Sequence, residues 1–245
     1  DDRAEDVGEY HQRPEVRHRR PDPFTKIVDT SLTYHMKGCR NGRTVVTSTM
    51  EMARDERREF ADFLATLTPE QWDGPSLCSQ WRVRDVVAHT ISYDELTTFG
   101  LAVRFLRGGL IVNRVNAIGV ADYAKRRPEE LVRLVRDHIQ PRGLTAGFGG
   151  MIALLDGVVH QQDIRRPLGM PRVIPAERLR AVLDSALYVP LIRGAWRARA
   201  VRLVATDLDW THGKGPEVHG PGEALLMAMA GRRHALQQLD GAGKS

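Results

Sequence analysis

Three side chains in this 245-residue chain have the types and spacing of a metal centre. Asp156 and His160 stand four apart in Leu154-Leu155-Asp156-Gly157-Val158-Val159-His160, and His89 closes the run Trp81-Arg82-Val83-Arg84-Asp85-Val86-Val87-Ala88-His89. Four residues along an α-helix return to the same face, so the carboxylate and the imidazole can aim at one point. A histidine from a second helix completes a two-histidine, one-carboxylate set. That is the ligand count of a catalytic zinc or other divalent site that keeps positions for water or substrate. The residues next to them, Val86-Val87-Ala88 and Leu154-Leu155 with Val158-Val159, are apolar, so these polar groups need partners. The same i,i+4 spacing also arises in ordinary helix pairing, and spacing by itself leaves both readings open.

The elements that must position these residues are mostly helical. Phe60, Phe63, Leu64 and Leu67 follow helical spacing from Met52 onward. Thr68-Pro69-Glu70-Gln71-Trp72 reads as a cap with proline at the first helical position. A long helix is expected from Val83 through His89 towards Leu106, ending at Gly108-Gly109, with more helix over 110–126 and again from Pro128 to Ile139. The helix carrying Asp156 and His160 is expected over Phe148–Arg166. Four main helices with short connections read as an antiparallel bundle, in which metal sites are built from facing helices. Beyond it, 175–191 reads as helix, 199–208 as a strand, 209–216 as a turn cluster, 217–220 as a returning strand, and Pro221 onward as a last helix through Leu236. The fold class expected is mainly α, a four-helix bundle over 52–170 followed by a small α+β domain over 171–241. Residues 1–49 have no sustained period and few large apolar side chains, so they read as disordered or as an upstream extension, with Met50 or Met52 as candidate starts.

Composition narrows the class. Hydrophobic residues make up 42% and charged residues 27%, ordinary for a globular chain. Cys39 and Cys78 give neither a disulfide framework nor a Cys-x-x-Cys metal signal, which suits a reducing cytoplasm. No signal peptide opens the chain, and no apolar run reads as the roughly 20 residues of a membrane span. The net charge of +5 comes from scattered arginines, read mainly as solvated faces. Without a basic block or recognition motif, nucleic acid is not an expected partner, and neither is a membrane.

Several segments together resemble one family. They are Leu64-Ala65-Thr66-Leu67-Thr68-Pro69-Glu70-Gln71-Trp72, Pro75 to His89, His160-Gln161-Gln162-Asp163-Ile164-Arg165-Arg166-Pro167-Leu168-Gly169, Val218-His219-Gly220-Pro221 and Gly231-Arg232. The series is similar to the mycothiol-dependent maleylpyruvate isomerase family, within the wider DinB-like metalloenzymes, over about Met52 to Gly241. The resemblance implies a DinB-like bundle with a divalent metal, usually zinc, on His89, Asp156 and His160. It also implies mycothiol as thiol co-substrate, acting on a small electrophilic substrate by addition and isomerisation or by thiol transfer. The family's isomerase has glutamate where this chain has Asp156, one methylene shorter but still a competent oxygen ligand.

The resemblance offers Arg232 for a substrate carboxylate. Asp163 returns to the stripe of Asp156 and is a candidate base, or else a partner of Arg165 or Arg166. Asp85, one turn before His89, either orients that imidazole or serves as a first-turn acid. Trp72 and Trp81 read as core, and Cys78 as a small buried hydrophobe. The expected protein is therefore a cytoplasmic metal-dependent enzyme of isomerase or transferase type, monomer or homodimer. The alternative is a non-catalytic metal- or ligand-binding protein on the same bundle.

Overall fold

A computed structural model describes residues 47–189 and 198–244. The expectation for the N-terminal extension falls outside these residues up to 46. Helix α1 spans Thr49–Leu64 and opens a turn earlier than Met52. Its start is fixed by a reciprocal cap: Ser48 Oγ accepts the Glu51 N–H at 3.2 Å, and the Glu51 carboxylate accepts the Ser48 N–H at 2.8 Å. The short α2, Pro69–Trp72, is capped by Thr68 with proline at its first position, as expected.

The single long helix expected from Val83 is two helices, α3 Val83–Ile91 and α4 Thr98–Arg107. Local hydrogen bonds divide them. Ser92 Oγ donates to the His89 carbonyl at the end of α3, and Thr97 Oγ1 accepts the Gly100 N–H to open α4. Helices α5, Val112–Tyr123, and α6, Pro128–Asp137, follow. A 3₁₀ segment, Gly143–Gly150, precedes α7, Met151–Arg165. Helix α7 does not begin at Phe148 because Phe148, Gly149 and Gly150 all adopt left-handed backbone, with φ of 53°, 66° and 90°. Gly143–Arg165 is long and apolar enough to cross a membrane by length and composition, which the sequence reading did not register. The stretch is broken at Gly147–Gly149, and its last turns carry buried Gln161, Gln162 and Asp163.

Helix α1 packs on α7 and α6, and α3 packs on α7, α6 and α5. Phe60, Leu64, Trp72, Val83, Val86, Leu131, Val135 and Ile164 form one apolar cluster among them. A second cluster joins Leu154 and Val158 of α7 to the C-terminal part: α8, Ala176–Ala186, three strands, and α9, Gly222–Met229. Helix α7 therefore serves both clusters. Gly157 lets α1 close on it, since a Cβ there would stand 3.1 Å from Glu56 Cγ. Glu56 is buried at that crossing, paired with Arg172 at 2.5 Å and Arg178 at 2.7 Å, and accepts from Gln161 at 2.9 Å.

The sheet order is β2-β1-β3, with β1 Arg202–Ala205, β2 Thr211–Gly213 and β3 Glu217–Gly220. The 209–216 segment read as a turn cluster contains the antiparallel strand β2. The returning strand β3 runs parallel to β1. Gly213 and Gly215, with φ of 88° and 118°, carry the chain across the end of β1, where Arg202 N–H donates to the Pro216 carbonyl. The last helix also ends early, at Met229, followed by a 3₁₀ turn over Arg233–Gln238. The described residues thus form a mainly helical fold with a small α+β C-terminal part, the class expected.

Replacing Ser48 with alanine removes one side of the cap on α1. It should lower stability by about 1 kcal/mol, a fall in thermal midpoint of about 2–4 °C, read by circular dichroism.

Candidate metal centre

His89 lies in the last turn of α3, whose buried face is Val83, Val86, Val87 and Ala88. Asp85 accepts the Arg82 N–H at 3.0 Å and pairs with the Arg82 side chain at 3.2 Å, so it closes the helix start and does not contact His89. The His89 ring is held between Trp81, with centroids 4.9 Å apart, and Tyr93, edge-on at 6.0 Å. On α7, Asp156 and His160 project towards it as the four-residue spacing requires.

His89 Nε2 lies 3.5 Å from Asp156 Oδ1, and His160 Nε2 lies 3.4 Å from the same oxygen. One ligand atom from each of the three falls within 4.8 Å of the others. The separations are long for hydrogen bonds. They match the edge of a tetrahedron around an ion held at about 2.0–2.1 Å, which is about 3.4 Å. The donor set therefore fits a divalent metal such as zinc. Asp156 is 30% exposed at its side chain, which leaves the cluster one open side.

The electrostatics follow from the same proximity. Burial pushes the Asp156 carboxyl up, but the two imidazoles outweigh it and hold the group far below the usual carboxylate range. Burial pushes His160 down, and Asp156, Asp163 and Cys78 more than reverse that, so its proton is held well above the ordinary histidine range. A cation is favoured at this point, and a metal must compete with a proton for it.

Behind His160 stands Asp163. Its Oδ2 lies 2.9 Å from His160 Nδ1, on the far side of the ring from Asp156. Arg232 grips the same carboxylate with Nε at 2.8 Å and Nη2 at 2.5 Å. Burial raises the Asp163 pKa, but the hydrogen bonds from His160 and Arg232 hold it at about 2. A carboxylate so acidic is a weak proton acceptor near neutrality. Its geometry is that of the carboxylate that orients a ligating histidine and leaves Nε2 free for an ion. His89 lacks such support: its buried Nδ1 has no hydrogen-bond partner among the described residues.

Arg232 reaches Asp163 through the end of α9. Gly231, with φ of 85°, donates to Ala228, and Arg232 N–H donates to Met227, the paired bonds of a Schellman turn. Its guanidinium also donates to the Ala230 carbonyl, so each of its three nitrogens has a partner inside the protein. The expected partners of Asp163 bond elsewhere, Arg165 to Gln161 and Arg166 to Glu223.

Three site residues escaped the sequence reading. Trp81, whose type suggests core, walls the centre beside both histidines. Tyr93 follows His89 by four residues, a spacing that signalled a shared face. Cys78, which reads as a small buried hydrophobe, is instead half-buried and places Sγ 3.3 Å from Asp163 Oδ2, 3.6 Å from Arg232 Nη2 and 3.9 Å from His160 Nδ1. No local signal links residues so far apart in the chain.

A helical bundle with a two-histidine, one-carboxylate cluster on facing helices defines the class. Residues 53–142 match the family model of the mycothiol maleylpyruvate isomerase N-terminal domain, the family the motifs resemble. The match includes His89 and stops short of Asp156 and His160. The fold is similar to the crystal structure of the mycothiol-dependent maleylpyruvate isomerase at a TM-score of 0.56 and 14% identity, covering 80% of this chain and 92% of that one. A crystal structure of a histidine-to-alanine variant of that isomerase is similar at a TM-score of 0.55, with the same identity and coverage. No curated protein matches the sequence.

Asp163→Asn should cost about 3 kcal/mol in chemical denaturation, because it leaves the Arg232 charge without its partner. Adding Arg232→Met should recover much of that loss. A single substitution without cost would mean that solvent screens the pair.

Proposed function

We propose that this chain is a divalent-metal-dependent enzyme of the mycothiol-using isomerase type, acting on a small electrophilic substrate by thiol addition and isomerisation or by thiol transfer. The observation that carries the reading is the convergence of His89, Asp156 and His160 at ligand-edge distances, with Asp163 fixed behind His160. The match over 53–142 supports the family context.

On this reading His89, Asp156 and His160 would hold the ion, and zinc is a metal suited to two imidazoles and a carboxylate. When bound, such an ion lowers the pKa of a coordinated thiol and polarises a nearby carbonyl. The protein's own residues set the rest. Asp163 accepts a hydrogen bond from the His160 Nδ1–H and so presents Nε2 inward. Arg232 keeps that carboxylate charged and in place, acting as a positioning residue. Trp81 and Tyr93 shield the His89 ring from water. Cys78 is turned to the Asp163 side of His160, away from Asp156, so the reacting thiol comes from outside the chain. Cytoplasmic residence, where small thiols stay reduced, belongs to the same reading.

Elemental analysis of protein purified without chelator should find about one divalent ion per chain, and His160→Ala should lose it. Metal-free wild-type protein would overturn the metal reading. Turnover of an activated alkene substrate should require mycothiol and should largely survive Cys78→Ser. Full turnover in thiol-free buffer would overturn the thiol reading and point to metal-activated water.

A further inference from the structure

Helix α4 of the α4–α5 hairpin turns part of its apolar surface outward, while α5 buries Val115 and Tyr123. In α4 the buried side chain is Arg104, while Phe99 and Leu106 are 79% and 72% exposed. Phe99, Val103 and Leu106 fall at i, i+4 and i+7 and make one stripe. The inner side is closed by glycines. A Cβ on Gly108 would stand 2.5 Å from Val115 Cγ2, and one on Gly119 would stand 2.7 Å from Ser92 Oγ and 2.8 Å from Arg104 Nη1. The hairpin has no room to turn its apolar stripe inward.

Its tip continues the stripe. Leu110 is 69% exposed and held at φ 61°, a conformation that side-chain-bearing residues rarely adopt, and Ile111 beside it is also exposed. The 143–150 segment abuts the hairpin's base, Gly143 lying against the carbonyls of Tyr93 and Leu96. It adds exposed Leu144 and Phe148, the latter at φ 53°. Among the described residues, the two non-glycine positions with positive φ are both large exposed apolar side chains.

The charge on this surface is mostly positive, with Asp122 near the end of α5 spent on Arg104 at 3.4 Å. From Leu96 to Ala121 the chain contains Arg104, Arg107 and Arg114 and no acidic residue. Arg107 and Arg114 are exposed beside the stripe, and Lys125, Arg126 and Arg127, also exposed, follow α5. A two-fold contact with a second copy through this face would bring the same unbalanced arginines together. An anionic bilayer offers both complements, an apolar layer for the stripe and phosphates for the guanidiniums.

We propose that the α4–α5 hairpin is a docking surface for an anionic membrane, with Phe99, Leu106 and Leu110 entering the headgroup boundary and Arg107 and Arg114 pairing with lipid phosphates. Composition alone pointed away from any membrane partner; the proposal rests on the placement of these side chains. Arg104 stacks 5.3 Å above the Tyr93 ring, and Tyr93 meets His89 edge-on, so the docked face lies next to the wall of the candidate centre.

Vesicle flotation of the full chain tests this. The protein should float with phosphatidylcholine vesicles containing a third of phosphatidylglycerol. Binding should weaken on the order of twentyfold with phosphatidylcholine alone or at high salt, as two surface arginines imply. The triple variant Phe99→Ser, Leu106→Ser, Leu110→Ser should stay in the soluble fraction with an unchanged circular dichroism spectrum. Should that variant unfold, Arg107→Gln with Arg114→Gln should remove the preference for anionic vesicles instead. Wild-type protein that ignores anionic vesicles, or a folded triple variant that still floats, would overturn the proposal. So would a dimer in sedimentation that the triple variant abolishes, which would assign the stripe to a second copy. Metal content and thiol dependence are read separately, so the membrane and catalytic readings can fail independently.

Discussion

The carboxylate of Asp163 has no exposed surface, and much of the arrangement answers that fact. A buried ion gives up hydration worth several kcal/mol unless charge and hydrogen bonds replace it. Arg232 supplies the charge from the C-terminal part, and His160 supplies a ring N–H from one turn earlier on α7. The pairing therefore does two things. It ties the segment after α9 to the bundle, and it fixes the His160 ring so that Nε2 faces Asp156. The positive φ of Gly231 is the local condition for it, because the Schellman turn there sets the direction of Arg232.

The same rule governs the other buried acids. Glu56 is matched by Arg172 and Arg178, joining α1 to α8 and the loop before it. Asp94 takes two bonds from Arg57, at 3.0 and 2.9 Å, and accepts from Thr145 Oγ1 and the Arg142 N–H. That network holds the turn after α3 against α1 and the 3₁₀ segment. Arginines read as solvated faces are in these cases structural, with long apolar stems packed and guanidiniums spent on internal carboxylates. Removing one member would leave its partner charged and buried, so these pairs specify geometry more than they add net stability.

The candidate centre sits where these constraints meet. Helix α3 brings His89 in on an apolar face, and α7 is held by α1 on one side and by the C-terminal part on the other. The shorter reach of Asp156 compared with glutamate is met by the closeness of the two helices, since its Oδ1 already stands at ligand-edge distance from both histidines. The support is uneven, however: His160 has a carboxylate behind it, and His89 has aromatic walls alone.

Much of this was legible in the order of residues alone. Periodicity and caps located most of the helices, and the four-residue spacing of Asp156 and His160 placed both on one face, because helical geometry is local. The motif series named the family that residues 53–142 match. The remainder depends on distant partners. The pairing of Asp163 with Arg232, the approach of Cys78 and the wall formed by Trp81 join residues whose separation in the chain leaves no periodic trace. The break between α3 and α4 was missed because apolar spacing runs on through it, while the Ser92 and Thr97 side chains stop the helix. The direction of β3 was missed because a four-residue strand carries no mark of which edge it will pair with. The outward face of α4 was not legible for a related reason: an amphipathic pattern gives a stripe but not its direction, and here close contacts at Gly108 and Gly119 occupy the inner side.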